Sequence, residues 1–160
     1  MPLQPLLDRF ADAVQRNDGA ALAALFTAEG IYDDGFFGPH QGRPAIAAML
    51  QRFHDGGRDY WWEFIDPVFA GGLGYVRWRF SYASRRAGTE GRPVLFEGMS
   101  SFTLRDGLIA HYREIFDRGL ALAQQDYPAA AIASVVAKAM ARQNARPENA
   151  AHLARFAPPA

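Results

Sequence analysis

The stretch 73–117, LGYVRWRFSYASRRAGTEGRPVLFEGMSSFTLRDGLIAHYREIFD, reads as three consecutive strands joined by two turns. Leu73 to Ser84 alternates apolar Val76, Trp78 and Phe80 with Arg77, Arg79 and Ser81, the two-residue period of a strand with one face buried. The Arg85 to Gly91 loop leads into a second run, Pro93 to Leu104. Asp106-Gly107 then supplies the dipeptide that a tight hairpin requires, and Leu108 to Asp117 returns as a long strand. Upstream, Tyr60 to Phe69 is a further aromatic-rich strand that turns at Gly71-Gly72. Its Asp66-Pro67 step removes a ladder donor and predicts an edge position or a bulge.

Helical patterns flank this block on both sides. Leu6, Leu7, Phe10 and Val14 share one helical face, and Asn17-Asp18-Gly19 ends that helix. A short second helix is expected over Ala20 to Phe26, then a turn at Ala28-Glu29-Gly30, a short strand Ile31 to Asp34 and a loop Gly35 to Gly42. Pro44 opens a third helix that carries Ile46, Met49, Leu50 and Phe53 on one face and stops at Asp55-Gly56-Gly57. After the strands, helices are expected at Ala121 to Gln125 and from Pro128, with Ile132, Val135, Val136, Ala139 and Met140 on one side. Residues 144–160 read as a loosely ordered tail with a last turn near His152 to Phe156. Helices followed by hairpin-linked strands imply an α+β fold with a mostly antiparallel sheet.

Composition narrows the classes of function. The 160 residues suit one domain, and 49% hydrophobic with 21% charged residues is ordinary for a globular protein. Lys+Arg and Asp+Glu both number 17, so no net field would gather nucleic acid or an anionic membrane. Lys138 is the only lysine, an arginine bias also expected of a GC-rich bacterial genome. The absence of cysteine excludes disulfides, thiolate metal sites and a Cys nucleophile. Met-Pro-Leu-Gln-Pro has neither a basic start nor a long apolar core, so no signal peptide is expected, and no apolar run reaches the roughly 18 residues of a membrane span. The expected location is cytoplasmic. Twelve Phe, six Tyr and three Trp, concentrated between Phe26 and Phe116, could wall a pocket with rings.

Three segments together carry a family resemblance: Leu25-Phe26-Thr27-Ala28-Glu29-Gly30-Ile31-Tyr32-Asp33-Asp34, Gly42-Arg43-Pro44-Ala45-Ile46, and Phe102 to Ile109 running into Tyr112-Arg113-Glu114-Ile115-Phe116-Asp117. In this order the chain resembles the nuclear transport factor 2-like superfamily, which includes ketosteroid isomerases, SnoaL-type polyketide cyclases and limonene-epoxide hydrolases. The resemblance covers roughly residues 5–118. It implies a cone-shaped, strongly curved, mostly antiparallel sheet whose pocket the N-terminal helices close. Residues 119–143 would form a C-terminal helical extension and 144–160 the tail.

The resemblance also implies site residues. Asp34 matches the general base of the ketosteroid isomerases, while their oxyanion tyrosine falls at Phe10 and their protonated aspartate at Ser100. Against the epoxide hydrolases, Tyr32 matches a water-binding tyrosine, Asp34 replaces a water-binding asparagine, and Glu114 replaces a catalytic aspartate. The arginine and second aspartate of that triad fall at Trp78 and Phe80. Arg77 and Arg79 are one residue out of phase and so on the other face, although a one-residue slip of the strand would bring them inside.

Asp34, Glu114 and Tyr32 are therefore the candidate catalytic residues. A carboxylate facing an apolar cavity has its charged form disfavoured and its pKa raised toward the acid/base range. The competing reading is that Asp34 caps a turn and Glu114 pairs with a surface arginine. The candidate substrate-binding residues are His40, Trp78, Phe80, Phe96, Ser100, Tyr112 and Phe116, of which the aromatic ones can equally be plain core. The four histidines have no metal-ligand spacing, and neither a metal nor an organic cofactor is expected. The expectation is acid/base chemistry (isomerisation, cyclisation or dehydration) on a small hydrophobic oxygenated molecule. The alternatives are epoxide opening or a non-catalytic binding or assembly module. A homodimer through the exposed sheet face is expected, with Trp61 and Trp62 on opposite sides of their strand and the C-terminal helices either covering that face or lidding the cone.

Overall fold

A computed structural model describes residues 3–156 of the chain. Its elements run α1 (Gln4–Gln15), α2 (Gly19–Ala24), β1 (Phe26–Asp34), β2 (Gly38–Gln41), α3 (Arg43–Gly56), β3 (Gly57–Ala70), β4 (Leu73–Ser84), β5 (Pro93–Arg105), β6 (Leu108–Phe116), α4 (Arg118–Ala123) and α5 (Ala129–Asn144). A 3-10 turn (Pro147–Asn149) and α6 (Ala150–Ala154) follow, so helical turns occupy much of 144–156, where the sequence suggested a loose tail. The last four residues of that tail lie outside the described residues.

The sheet is α+β in the expected sense: six strands in the order β2-β1-β6-β5-β4-β3, curved and unclosed. Only β1 and β6 pair in parallel, with Tyr32 beside Tyr112; every other neighbour is antiparallel. β3 lies at one edge, and its register shifts between Ile65 and Val68, so Asp66-Pro67 sits both at an edge and at a bulge. The segment 38–41 departs from expectation. Expected as loop, it forms β2 and pairs antiparallel with β1, because an outermost strand tolerates Pro39, whose nitrogen has no hydrogen to donate.

Register separates the two faces of β4. Val76, Trp78 and Phe80 are buried, whereas Arg77 and Arg79 lie on the outer face. There Arg77 meets Asp66 at 2.8 Å, and Arg79 meets Glu97 at 2.8 Å and Glu63 at 3.3 Å. Exposed pairs of this kind contribute at most about 1 kcal/mol each, so the buried face holds the fold together. Phe10 of α1, fully buried, is the hub of that face. Its ring stacks with Tyr32 and meets Trp62, Phe64, Phe102 and Tyr112 at tilted or edge-on angles, with centroids 4.9–6.3 Å apart. Such arrangements suit the charge distribution of aromatic rings.

The N-terminal helices contribute unequally to the pocket. α1 and α2 fill the core, and only α3 reaches the large cavity, through Arg52, Phe53 and Gly56. The opposite wall comes from the C-terminal extension: Leu122 of α4, Gln125, Tyr127, and Val135 and Lys138 of α5. The C-terminal helices thus line the cavity, and the residues just beyond α5 also meet the outer face of the sheet, where Arg146 pairs with Asp33 and Glu148 lies 3.7 Å from Arg113. No helix among the described residues is long and apolar enough to cross a membrane.

Candidate active site

Two buried carboxylates lie side by side at the inner end of β1 and β6. Asp34 ends β1, where the chain turns into β2, and is 3% exposed. Its Oδ1 accepts the backbone N–H groups of Phe36 at 2.8 Å and Phe37 at 2.7 Å, the local bonding by which aspartate organises a turn. Its Oδ2 is buried and has no hydrogen-bond partner among the described residues. The turn-capping reading is therefore true of one oxygen and leaves the other free.

Glu114 is satisfied differently. Oε1 accepts the phenol hydrogens of Tyr32 at 2.7 Å and Tyr112 at 3.0 Å, and Oε2 accepts the N–H of Gly35 at 3.1 Å. No arginine reaches it. Behind Tyr112 the bonding continues inward: Ser100 donates to the Tyr112 oxygen at 2.8 Å, and the Trp78 indole donates to Ser100 at 2.8 Å. Trp78 can only donate, so every hydroxyl in this row points its hydrogen toward Glu114.

Two glycines make this packing possible. A Cβ on Gly98 would strike the Trp78 ring and stand 2.6 Å from the Ile115 carbonyl, so only glycine lets Trp78 lie across β5 toward Ser100. A Cβ on Gly35 would strike the Phe116 ring.

Burial dominates the electrostatics. It pushes Asp34 up to about 6, against the pull of the two backbone N–H groups and the Arg118 guanidinium. Burial and the neighbouring Asp34 charge push Glu114 up to about 8, with the two phenols and Gly35 opposing. Tyr32 and Tyr112 are held far above the usual phenol range, first by burial and then by Glu114, and remain hydrogen donors. Both carboxyls therefore hold their protons more tightly than solvated ones, and the two titrate as a pair. Separation of two carboxylates by environment is how one fold supplies both an acid and a base.

Three cavities surround the pair. A small void of about 10 Å³, enough for one oxygen atom, is lined by Asp34, Glu114, Trp62, Trp78, Phe53, Phe80, Phe96 and Phe116. A cavity of about 390 Å³, walled by Phe36, Phe37, Tyr60 and Tyr82, shares Phe53, Phe80 and Phe96 with that void. On the other side of the carboxylates a more polar cavity of about 290 Å³ lies under α5, among Arg113, Arg118, Arg142 and Arg146.

Most residues singled out in the sequence meet here: Asp34, Glu114, Tyr32, Tyr112, Ser100, Trp78, Phe80, Phe96 and Phe116 are all buried on the inner face. Ser100 spends its hydroxyl on Tyr112 and Trp78, so it is not free to meet a ligand. His40 is not brought to the cavity. It pairs in register with Tyr32 on the edge strand β2, beneath α3, with Nδ1 3.5 Å from Arg52 and its pKa lowered by burial and that guanidinium. The residue that sequence reasoning passed over is Trp62. It is 4% exposed and lines the void, and its indole Nε1 has no partner among the described residues. Only its strand parity, opposite to that of the exposed Trp61, hinted at this placement. Among the described residues no cluster of His, Asp or Glu is arranged to hold a metal ion.

Known proteins share this architecture. A hypothetical protein of ketosteroid isomerase-like fold from Catenulispora acidiphila, solved with trimethylamine, superposes with a TM-score of 0.71 at 21% identity, over 78% of this chain and 95% of that one. IdmH of Streptomyces antibioticus, a candidate polyketide cyclase, gives 0.66 at 19% identity over 79% and 100%. An epoxide hydrolase of Mycobacterium tuberculosis, similar to limonene-epoxide hydrolase, gives 0.61 at 18% identity over 75% and 86%. At these identities the likeness is one of fold. No curated protein sequence matches the chain. The sequence pattern of the SnoaL-like domain, however, matches residues 7–112, and on that match the protein belongs to the SnoaL-like domain family of the nuclear transport factor 2-like superfamily.

Proposed function

We propose that the protein is a cofactor-independent enzyme that moves a proton on a small hydrophobic oxygenated molecule, by isomerisation, cyclisation or dehydration. The observation that carries this reading is the unpartnered, buried Oδ2 of Asp34 beside a void at the end of an aromatic cavity. Burying an acceptor with no donor costs roughly 1–3 kcal/mol, a penalty that a ligand or water could relieve. Asp34 acts as the base. Glu114, kept neutral near pH 7, is the acid, and Tyr32 and Tyr112 hold it in place. The apolar body of the substrate lies against Phe36, Phe80 and Phe96 in the larger cavity.

Epoxide opening of the limonene-epoxide hydrolase kind is less well supported, because Arg77 and Arg79 are engaged with Asp66, Glu63 and Glu97 on the outer face. The test is a screen of cyclic enones, ketones and hydroxyketones in deuterated water, following solvent deuterium entering the product. The reading predicts turnover that falls at least about 100-fold in Asp34→Asn, the usual scale of general-base catalysis. Ligand binding with no exchange or turnover in any member of the panel, identical in wild type and Asp34→Asn, would instead identify a binding module.

A further inference from the structure

Two of the residues that line the void between the carboxylates and the indoles each carry an unsatisfied polar atom, of opposite kind. Oδ2 of Asp34 is an acceptor without a donor, and Nε1–H of Trp62 is a donor without an acceptor. Both residues line the void, and Trp62 borders none of the larger cavities described above. The other indole at this void, that of Trp78, already donates to Ser100. The position of Trp62 is not accidental. Register shifts between Arg58 and Trp61, and the Trp62 backbone N–H turns to the Gln15 side-chain oxygen at 3.0 Å, which ties this part of β3 to α1. The ring is then locked edge-on between Phe10, Trp78 and Phe80, with centroids 4.9–5.6 Å apart.

We infer that the void is a hydroxyl-binding subsite, in which one oxygen accepts the Trp62 indole hydrogen and donates its own to Asp34 Oδ2. Among common oxygen groups only O–H meets both demands. A carbonyl or ether oxygen satisfies Trp62 but leaves an ionised carboxylate facing a lone pair. The volume, about 10 Å³, admits a single oxygen. The ligand's carbon body extends past Phe53, Phe80 and Phe96, which border both the void and the large cavity. The oxygen belongs either to a bound alcohol or to a water. This assignment rests on the reading of Asp34 as a base and narrows it: where the oxygen is the ligand's own, the substrate carries a hydroxyl, as the hydroxyketones of the panel do.

The test compares menthol with menthone, two molecules of one skeleton that differ in the oxygen, at pH 7.5. Titration calorimetry reads affinity and the indole ¹⁵N–¹H signals read the site, with Trp62→Phe assigning the Trp62 peak. The expected result is menthol binding about tenfold tighter than menthone, the worth of one hydrogen bond to a charged group. The Trp62 signal should shift downfield while that of Trp78 stays fixed, and the preference should vanish in Asp34→Asn. If water fills the subsite, the Trp62 signal will show exchange with a bound water in the free protein and will not move with either ligand. A Trp62 indole that responds to neither alcohol, ketone nor water would overturn the assignment. Because binding is read without turnover, a failure here with solvent exchange intact sinks the subsite alone. Intact alcohol preference without exchange in the enone panel sinks the enzyme alone.

Discussion

Tyr32 donates its phenol hydrogen to Oε1 of Glu114 at 2.7 Å, across the one parallel strand pair in the sheet. The phenol stabilises the ionised carboxylate from within a fully buried setting, so it holds the Glu114 pKa below where burial alone would take it. Tyr32→Phe is predicted to raise the Glu114 pKa by about one unit or more, since a hydrogen bond to a charged group contributes ~1.5–3 kcal/mol. Carboxyl ¹³C titration of the variant checks this. An unchanged or lower value would mean that Tyr32 does not act on the charge of Glu114.

The raised carboxylates also set how stability varies with pH. Both groups bind protons more tightly in the folded chain than in the unfolded one. Stability is therefore greatest in acid relative to these two groups and falls as pH rises from about 4 through about 8. Each such group contributes up to ~1.4 kcal/mol per pH unit inside its window. Urea denaturation at pH 5 and pH 8 should show this loss. Glu114→Gln should flatten the part between about pH 6 and 8, whereas a wild-type curve flat over that range would contradict it.

Gly98 sits under Trp78 as its cross-strand partner. Gly98→Ala must push aside either the indole or the Ile115 carbonyl, and overpacking of this kind costs about 1–3 kcal/mol. A lower melting temperature is expected, with loss of the Trp78–Ser100 bond visible as a shift of the Trp78 indole signal. A variant as stable as wild type with that signal unmoved would refute the packing argument.

The outer wall of the cavity depends on polar anchors. α5 has no fully buried residue. Arg142 donates to the Phe36 carbonyl at 3.1 Å, and Arg146, just beyond the helix, donates to Asp33 at 2.9 Å. The double variant Arg142→Ala, Arg146→Ala is predicted to speed hydrogen exchange across α5 at least about tenfold while β4–β6 exchange as before. Uniform acceleration, or none, would show that α5 is held by other contacts.

The long strands were legible because one face of each is buried: Val76, Trp78 and Phe80 alternate with solvated arginines, and Asp106-Gly107 marks the hairpin. Tyr32, Asp34, Tyr112 and Glu114 could be placed together for the same reason, since strand parity carries side-chain direction. β2 escaped because four residues that include Gly38, Pro39 and His40 carry no apolar period, and its pairing with β1 is a tertiary fact. His40 was misplaced with it: residues opposite one another in a sheet share a face, but at the edge that face looks onto α3. Trp62 was read only for its side of the strand, opposite to Trp61, and not as a site residue. What distinguishes it is a missing hydrogen-bond acceptor, which no sequence displays.

The most direct test of the acid/base pair is carboxyl ¹³C titration of the wild-type protein from pH 3 to 10, with Asp34→Asn and Glu114→Gln assigning the two signals. The account predicts apparent pKa values near 6 and 8 for the pair, with only one proton lost by pH 7. Two carboxyls that both titrate below pH 5 would mean solvated, structural groups and would contradict the proposed chemistry.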